Sequence, residues 1–400
     1  MTMKKIIVMG NSVAGAVAIE EIRQKDKESE IILFSLDEIP FANRDMFAQF
    51  ISGNAKKNVV GYKNDQFFTE QRVQLINDKV ISRINLSRKK VHTEDKSQFD
   101  FDALILSQLP QIKFAEIKGN NKTGVYGTQR FKDISEITKN LPFIETAVVQ
   151  SDDFQGLKLA AALAKKNKDV ALIISNESVL PLILNTDIGK AFAHVLKDKN
   201  LHIVFDNPIV EILGDVDAKA VRLKSGKVIA ADAVILGKSF NDMRIFSEAP
   251  QQQNERLKVD EAFQTSYEGV FAVDQMCSLA QETLLTPALE LQGKAVAAAV
   301  LKESFTFVQP VVSESLEFEN WSINLLGDSR QAFSGEIVSY KQQDNQAVVY
   351  VLKDNRAIGA ALFNADSMKE TVLQQIQQNA SVEELAHSYQ PNDGQQLQTS

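Results

Sequence analysis

Apolar runs of four or five residues alternate along most of this chain with stretches whose apolar positions recur at helical spacing, the texture of an α/β protein. Lys5-Ile6-Ile7-Val8-Met9 reads as a buried strand, and 14–25 as an amphipathic helix. Ile31-Ile32-Leu33-Phe34 reads as the next strand of a parallel sheet. Helices near 43–51 and 64–72 follow, then alternating short strands through 87–93 and the apolar strand Ala103-Leu104-Ile105-Leu106. The plan then repeats: strand 146–150, helix 154–166, strand 170–174, helix 185–198 and strand 201–205. A hairpin-like stretch at 218–230 places Ser225-Gly226 in its turn, and Ala233-Val234-Ile235-Leu236 closes the unit before Gly237.

After that the pattern returns to the first unit. Gly269-Val270-Phe271-Ala272-Val273-Asp274 is a short strand ending in a carboxylate, and Leu289 to Leu301 is an alanine-rich helix suited to close packing. From about 308 the texture turns to strands, at 321–326, 333–340, 346–353 and 356–363, with one helix at 366–378. The tail 379–400, rich in Gln, Ser and Asn, lacks apolar periodicity after about 387 and is expected to fray. The expected domains are therefore 1–120 with 242–305, then 121–241, then 306–378 and the tail.

The two strand-turn-helix units carry different turns. A dinucleotide-binding turn needs one glycine for the tight bend, a second where pyrophosphate meets bare backbone, and a third where helix packs on strand. In Gly10-Asn11-Ser12-Val13-Ala14-Gly15, Gly10 and Gly15 fill the first and third roles and Ser12 the second. One small hydroxyl leaves the helix N-terminus able to attract an anion. In the second turn the roles fall to Ser151, Asp153 and Gly156. A carboxylate about 4 Å from a phosphate charge is repelled by roughly 1 kcal/mol in water, and by about 4 kcal/mol at an effective dielectric near 20. The first turn thus predicts a nucleotide site and the second a degenerate one. Residues 150–155 offer no alternative anion nest. Ile174-Ser175 ends its strand without the acid that grips an adenosine ribose, and Glu177 lies a few residues beyond.

Composition narrows the chemistry. With 44% hydrophobic and 24% charged residues the chain is an ordinary globular one, and no apolar run suits a membrane span. A net charge of −8, spread along the sequence, argues against nucleic acid, and a strand from residue 4 without signal-peptide layout leads us to expect a cytoplasmic protein. The single cysteine, Cys277, rules out a disulfide within the chain, a thiol relay and a cysteine-held metal cluster. It reads either as a small buried hydrophobe or as a lone nucleophile. His92, His194, His202 and His387 lack metal-ligand spacing, so no metal site and no acid–base catalytic residue is expected.

With these pieces in order, the chain resembles the two-domain flavoproteins of the pyridine nucleotide-disulfide oxidoreductase type, in particular NADH:rubredoxin reductases and the N-terminal portion of assimilatory nitrite reductases. Gly10 to Gly15 is similar to the family's FAD pyrophosphate turn, including Val13 and Ala14. Pro40-Phe41-Ala42-Asn43-Arg44 resembles the loop that delivers an arginine close to the flavin. Thr265 to Asp274 resembles the stretch whose aspartate hydrogen-bonds the ribityl chain, and Gln292-Gly293-Lys294 the start of the closing helix. The likeness covers roughly 3–378. It implies an α/β fold of two nested Rossmann-like, glutathione-reductase-type dinucleotide-binding domains plus a small α+β C-terminal domain.

The departures from the family pattern are specific. Val273 replaces a glycine, Ser107-Gln108-Leu109 replaces Ala-Thr-Gly, Asp45 replaces a proline, and Lys158 stands where the family has a glutamate facing flavin and nicotinamide. Arg44 could alternatively pair with Asp37, Glu38 or Asp45, and Asp274 could be a helix N-cap. The resemblance implies an FAD-dependent oxidoreductase passing electrons to a small rubredoxin-like carrier, with weakened or altered use of NADH or NADPH. The alternative is a non-catalytic relative serving as a binding or regulatory partner. Residues 38–50 hold no cysteine, which argues against a disulfide reductase. The strands of 321–363 suit either dimerisation or internal packing.

Overall fold

The computed structural model describes residues 3–109, 112–114, 117–175, 179–237, 239–253, 256–279, 285–308, 310–311, 313–327, 336–343, 345–388 and 398–399. The chain divides into two compact units. One comprises 1–115, 129–138 and 239–309, the other 116–128, 139–238 and 310–400.

The first unit is built on a five-stranded parallel sheet in the order Val270–Ala272, Ala103–Leu106, Lys5–Met9, Glu30–Phe34, Val73–Ile76. The central strand is apolar on both faces because helices cover both. Val8 pairs in register with Leu33 on one side and Ile105 on the other, and all three are fully buried. Helix Val13–Lys25 packs against helix Thr286–Leu301 so closely that a Cβ on Gly293 would lie 2.6 Å from the Ala14 carbonyl oxygen. This explains the small residues of both helices. A three-stranded antiparallel sheet, Ile81–Asn85, Lys90–Thr93 and Gln98–Asp100, completes the unit.

The second unit repeats the parallel plan, ordered Leu201–Phe205, Asp169–Ile174, Thr146–Gln150, Ala233–Leu236, Val125–Gly127. It also contains a six-stranded antiparallel sheet, Ser313–Phe318, Trp321–Gly327, Arg356–Phe363, Gln346–Lys353, Glu336–Gln343 and Gln398–Thr399. Helix Lys369–Gln377 packs Val372 and Ile376 into that sheet's core. Two Rossmann-like parallel sheets and a β-rich C-terminal part are thus the fold implied by the resemblance. Among the described residues no helix is long and apolar enough to cross a membrane.

Several elements differ from the sequence reading. The expected helix at 43–51 is a 3₁₀ turn, Arg44–Met46, followed by helix Phe47–Ser52, because the Asn43 side chain caps the turn by accepting from Asp45 N–H at 3.0 Å. The helix expected near 64–72 shrinks to Gln66–Glu70. The helix expected at 185–198 runs Asp187–Asp198, started by the Thr186 hydroxyl that accepts Gly189 N–H at 3.1 Å, and helix Val179–Leu184 before it was not anticipated. The strands Val73–Ile76 and Ser313–Phe318 were not anticipated. The strand expected at 333–340 runs Glu336–Gln343, and 333–335 lie outside the described residues. The tail does not fray from 379. Ala380 N–H bonds the Gln375 carbonyl, and Val382–Ser388 is a helix whose Leu385 is fully buried in the C-terminal core. One apolar residue per two turns was too sparse a signal.

Candidate functional site

Gly10 ends the central strand of the first sheet with φ +110°, a conformation that side chains rarely adopt. A Cβ there would lie 2.4 Å from Ser107 Oγ and 2.6 Å from Gln108 N. The glycine is therefore imposed by the adjacent strand end as well as by its dihedral. Ser12 is the N-cap of helix Val13–Lys25. Its Oγ accepts the Ala14 N–H at 3.2 Å and its carbonyl accepts the Gly15 N–H at 3.0 Å. The hydroxyl expected beside the phosphates is thus turned onto the helix, and Val13 and Ala14 are buried in the first turn. Gly15 fulfils its packing role, since a Cβ would stand 3.0 Å from Val8 Cγ1.

A cavity of about 190 Å³ opens at the carboxyl ends of the first two strands, lined by Gly10, Asn11, Ser35, Gln108 and, at basic positions, Lys79, Arg130 and Lys132. Parallel sheets bind ligands at this end. Ser35 is among the residues that line it, and its Oγ is buried without a hydrogen-bond partner. A buried polar atom left unmet costs about 1–3 kcal/mol. Asp37, on the same wall, accepts from Asn11 Nδ2 at 2.8 Å, from the N–H groups of Phe131 at 2.9 Å and Lys132 at 3.0 Å, and from Glu38 N–H at 2.8 Å. Burial nevertheless pushes its carboxyl above the ordinary range, against those hydrogen bonds. Burial likewise pulls Arg130 down, opposed by Asp133 and Asp37. None of Ser35, Asp37, Lys79, Arg130 and Lys132 was singled out as a ligand contact in the sequence. The one available signal was their place, just past the second strand for Ser35 and Asp37, past the third for Lys79, and at a helix start for Arg130 and Lys132.

Next to the turn, Ala42 N–H bonds the Asn11 carbonyl oxygen at 3.3 Å and seats the loop that ends in Arg44. Arg44 Nη2 reaches Asp274 Oδ1 at 2.9 Å and Oδ2 at 2.7 Å, and Nη1 reaches Gln129 Oε1 at 2.9 Å. Arg44 thus takes none of Asp37, Glu38 or Asp45 as the partner of this ion pair. Asp274 is not an N-cap. It is the first residue of a 3₁₀ turn at φ +55°, with Val273 in the cap position. Its N–H donates to Gln292 Oε1 at 2.8 Å, giving the glutamine of the closing helix a direct role in placing it. Gln275 Nε2 also meets Gln129 Oε1, at 2.6 Å. Asp45, in the family's proline position, accepts from Thr286 Oγ1 at 2.9 Å.

In the second turn the side chains bond to one another and to the backbone. Asp153 is the N-cap of helix Phe154–Ala164, accepting Gly156 N–H at 2.8 Å, and Ser151 Oγ donates to the same oxygen at 2.7 Å. Ser151 packs closely on both glycines: a Cβ on Gly156 would lie 2.1 Å from Ser151 Cβ, and one on Gly237 2.1 Å from Ser151 Oγ. Asp152 accepts Ser175 N–H at 2.6 Å and Gln150 accepts Ile209 N–H at 2.6 Å. Lys158 forms a 2.9 Å ion pair with Glu314 of strand Ser313–Phe318, both side chains under 10% exposed. Glu177 lies outside the described residues. Cys277 is buried, and the described residues hold no group of three potential metal ligands.

Two five-stranded parallel sheets, the first with a positive-φ glycine after its central strand, are a frame shared with known proteins. The sequence pattern of the pyridine nucleotide-disulphide oxidoreductases matches residues 4–299. This chain belongs to that family. The assimilatory nitrate reductase electron transfer subunit of Bacillus subtilis (strain 168) is 23% identical over 388 residues, covering 94% of this chain and 49% of the relative. The nitrite reductase [NAD(P)H] of the same organism is 24% identical, covering 96% and 48%. The chain spans about half the length of these two curated relatives. Rubredoxin-NAD(+) reductase of Ectopseudomonas oleovorans is 22% identical, covering 69% of this chain and 72% of its own. Among solved structures, the NADH:rubredoxin oxidoreductase from Clostridium acetobutylicum superposes with a TM-score of 0.74 at 16% identity, over 97% of this chain and 100% of that one. Likeness at that identity shows the shared fold.

Proposed function

We propose that the protein is an FAD-dependent oxidoreductase of the rubredoxin-reductase type, with the cofactor held by the amino-terminal unit and electrons leaving to a small carrier protein. The observation that carries this reading is the cavity beside Gly10, with an unsatisfied Ser35 hydroxyl and three basic residues on one wall. These residues fit the adenosine diphosphate half of such a cofactor. Gly10 and Asn11 would let the diphosphate approach backbone, and Lys79, Arg130 and Lys132 would balance its charge. Arg44, held by Asp274, would present a guanidinium to the same ligand. Bound FAD supplies hydride acceptance and single-electron release without a protein thiol. That agrees with a chain whose one cysteine is buried.

The second unit supports a reading with little use of NADH or NADPH through its own turn. Ser151 packs closely on both glycines and Asp153 takes the helix N–H that an anion would need. The same observation favours a second reading, a non-catalytic partner that keeps the fold for binding or regulation.

Visible absorption of the purified protein before and after anaerobic NADH separates the readings. A yellow protein bleached by NADH supports the enzyme with its usual donor. A yellow protein indifferent to both nicotinamide nucleotides supports a different donor. A colourless protein that takes up no added FAD overturns the flavin reading. Gly10→Val, which places a branched side chain where even a Cβ meets Ser107 Oγ at 2.4 Å, is expected to abolish flavin retention. Unchanged occupancy in that variant would contradict the site.

A further inference from the structure

Phe131 and Lys132 are the first two residues of helix Phe131–Asn140, so their N–H groups have no carbonyl partner inside that helix. Both donate instead to Asp37, at 2.9 and 3.0 Å, a residue 94 and 95 positions earlier in the chain. Asp37 lies just past strand Glu30–Phe34, and it also accepts from Asn11 Nδ2 of the Gly10 turn and from Glu38 N–H, each at 2.8 Å. One carboxylate therefore joins the Gly10 turn, the end of the second strand and the start of this helix. Arg130 immediately precedes the helix and Lys132 is its second residue, and both line the cavity together with Asn11 and Asp37. The four donors fill the roughly four acceptor positions of a carboxylate, so Asp37 has none left for a ligand. Its charge is also of the wrong sign to hold a diphosphate, which it repels. At the positive end of a helix the same charge is favoured.

We propose that Asp37 is a positioning residue of the cofactor site: it caps helix Phe131–Asn140 from outside and so fixes the backbone from which Arg130 and Lys132 present their charges to a diphosphate, without touching the ligand itself. The hydrogen bond from Asn11 Nδ2 ties the Gly10 turn to the same carboxylate, which sets the distance between the bare backbone and the two cations. This deepens the reading of the amino-terminal cavity as the site of the adenosine diphosphate half of FAD and rests on it. A group that merely lined the cavity would act on the ligand through its charge alone, and removing it would strengthen diphosphate binding. A positioning group has the opposite sign, because its loss lets the helix start and both basic side chains move.

The test is calorimetric titration of the full chain and of Asp37→Asn with adenosine 5′-diphosphate and with adenosine. Where flavin accompanies the protein, the same compounds are scored by flavin release. Asparagine keeps the shape of the side chain but has one acceptor oxygen, and its NH₂ group faces N–H donors. The variant is expected to bind the diphosphate about tenfold more weakly, the scale of a lost helix cap, and adenosine within about twofold of wild type. Adenosine carries the base and ribose without phosphate, so equal weakening of both compounds would overturn the proposal and make Asp37 a nucleoside contact. Tighter diphosphate binding would overturn it and leave Asp37 as an opposing charge. Hydrogen exchange on the unliganded full chain needs neither ligand nor variant: the Phe131 and Lys132 amides are expected to exchange at least about tenfold more slowly than unbonded amides, and exchange at the free-amide rate would overturn the proposal. If the diphosphate binds wild type and variant alike, the positioning role fails and the cofactor reading stands. If the wild type binds no adenine compound, both fail.

Discussion

Arg44 and Asp274, 230 positions apart in the chain, are joined by one guanidinium nitrogen that reaches both carboxylate oxygens, at 2.9 and 2.7 Å. Their side chains are 16% and 3% exposed, so the pair lies in a region where removing one member leaves the other poorly solvated. Breaking a buried pair typically costs about 3–5 kcal/mol, and Arg44 is only partly buried, so the lower end applies. Arg44→Met is expected to lower stability by about 3 kcal/mol in urea unfolding and to weaken flavin retention. Asp274→Asn, which keeps shape and one acceptor, is expected to cost less. Equal stability of wild type and Arg44→Met would show that the pair is not structural.

On the proposed reading, nicotinamide binding at the second turn is expected to need two changes. From the sequence, Asp153→Gly alone is expected to improve nicotinamide binding if that carboxylate is the sole obstacle. In the structure Ser151 also packs closely on Gly156 and Gly237, and Asp153 caps its helix. The single variant should lose a few tenths of a kcal/mol of stability, as Gly is a tolerable cap, and gain little affinity. Ser151→Gly/Asp153→Gly is expected to bind NADH measurably better in a fluorescence titration than either single variant. Full recovery with Asp153→Gly alone would show that charge and not space closes the turn.

Lys158 and Glu314 tie helix Phe154–Ala164 to the outer strand of the C-terminal sheet. Lys158→Met leaves Glu314 buried and unpaired, with an expected loss of about 3–5 kcal/mol. Lys158→Met/Glu314→Leu should recover most of it, because an apolar pair of similar volume avoids both desolvation costs. Thermal melts of the three proteins measure this directly. A double variant no better than the single one would mean that the pair gives net stabilisation.

Asp232 shows a pH dependence with a defined sign. Burial raises its carboxyl pKa, but acceptance from Thr146 N–H and Glu145 N–H, each at 3.0 Å, and from Thr146 Oγ1 at 3.1 Å outweighs burial and holds it below the ordinary value. A depressed folded-state pKa stabilises above the unfolded value of about 3.9, and that stabilisation is lost as pH falls below it. Asp232→Asn is therefore expected to be less stable than wild type at neutral pH, with the difference shrinking as pH falls below about 4. A gap that is constant with pH would remove the carboxylate from this role.

The amino-acid sequence by itself determined the two parallel sheets, because runs such as Ile6-Ile7-Val8 and Ala147-Val148-Val149 have no polar face to offer water and must be covered on both sides. It also determined which turn kept its glycines, since local backbone conformation and the bulk of one side chain are properties of the segment alone. Short helices and the last core helix were poorly legible, as caps at Asn43 and Thr186 and a single buried Leu385 outweigh periodicity over so few residues. Only the tertiary structure decided which charges meet. Arg44 had three acids close by in sequence and is ion-paired with a fourth from the far end of the unit, while Lys158 found Glu314. It also decided that Asp37 is saturated and Ser35 is not. Charge pairing and hydrogen-bond satisfaction depend on distance through space over a few ångströms, and sequence separation carries no information about that until the sheets have closed.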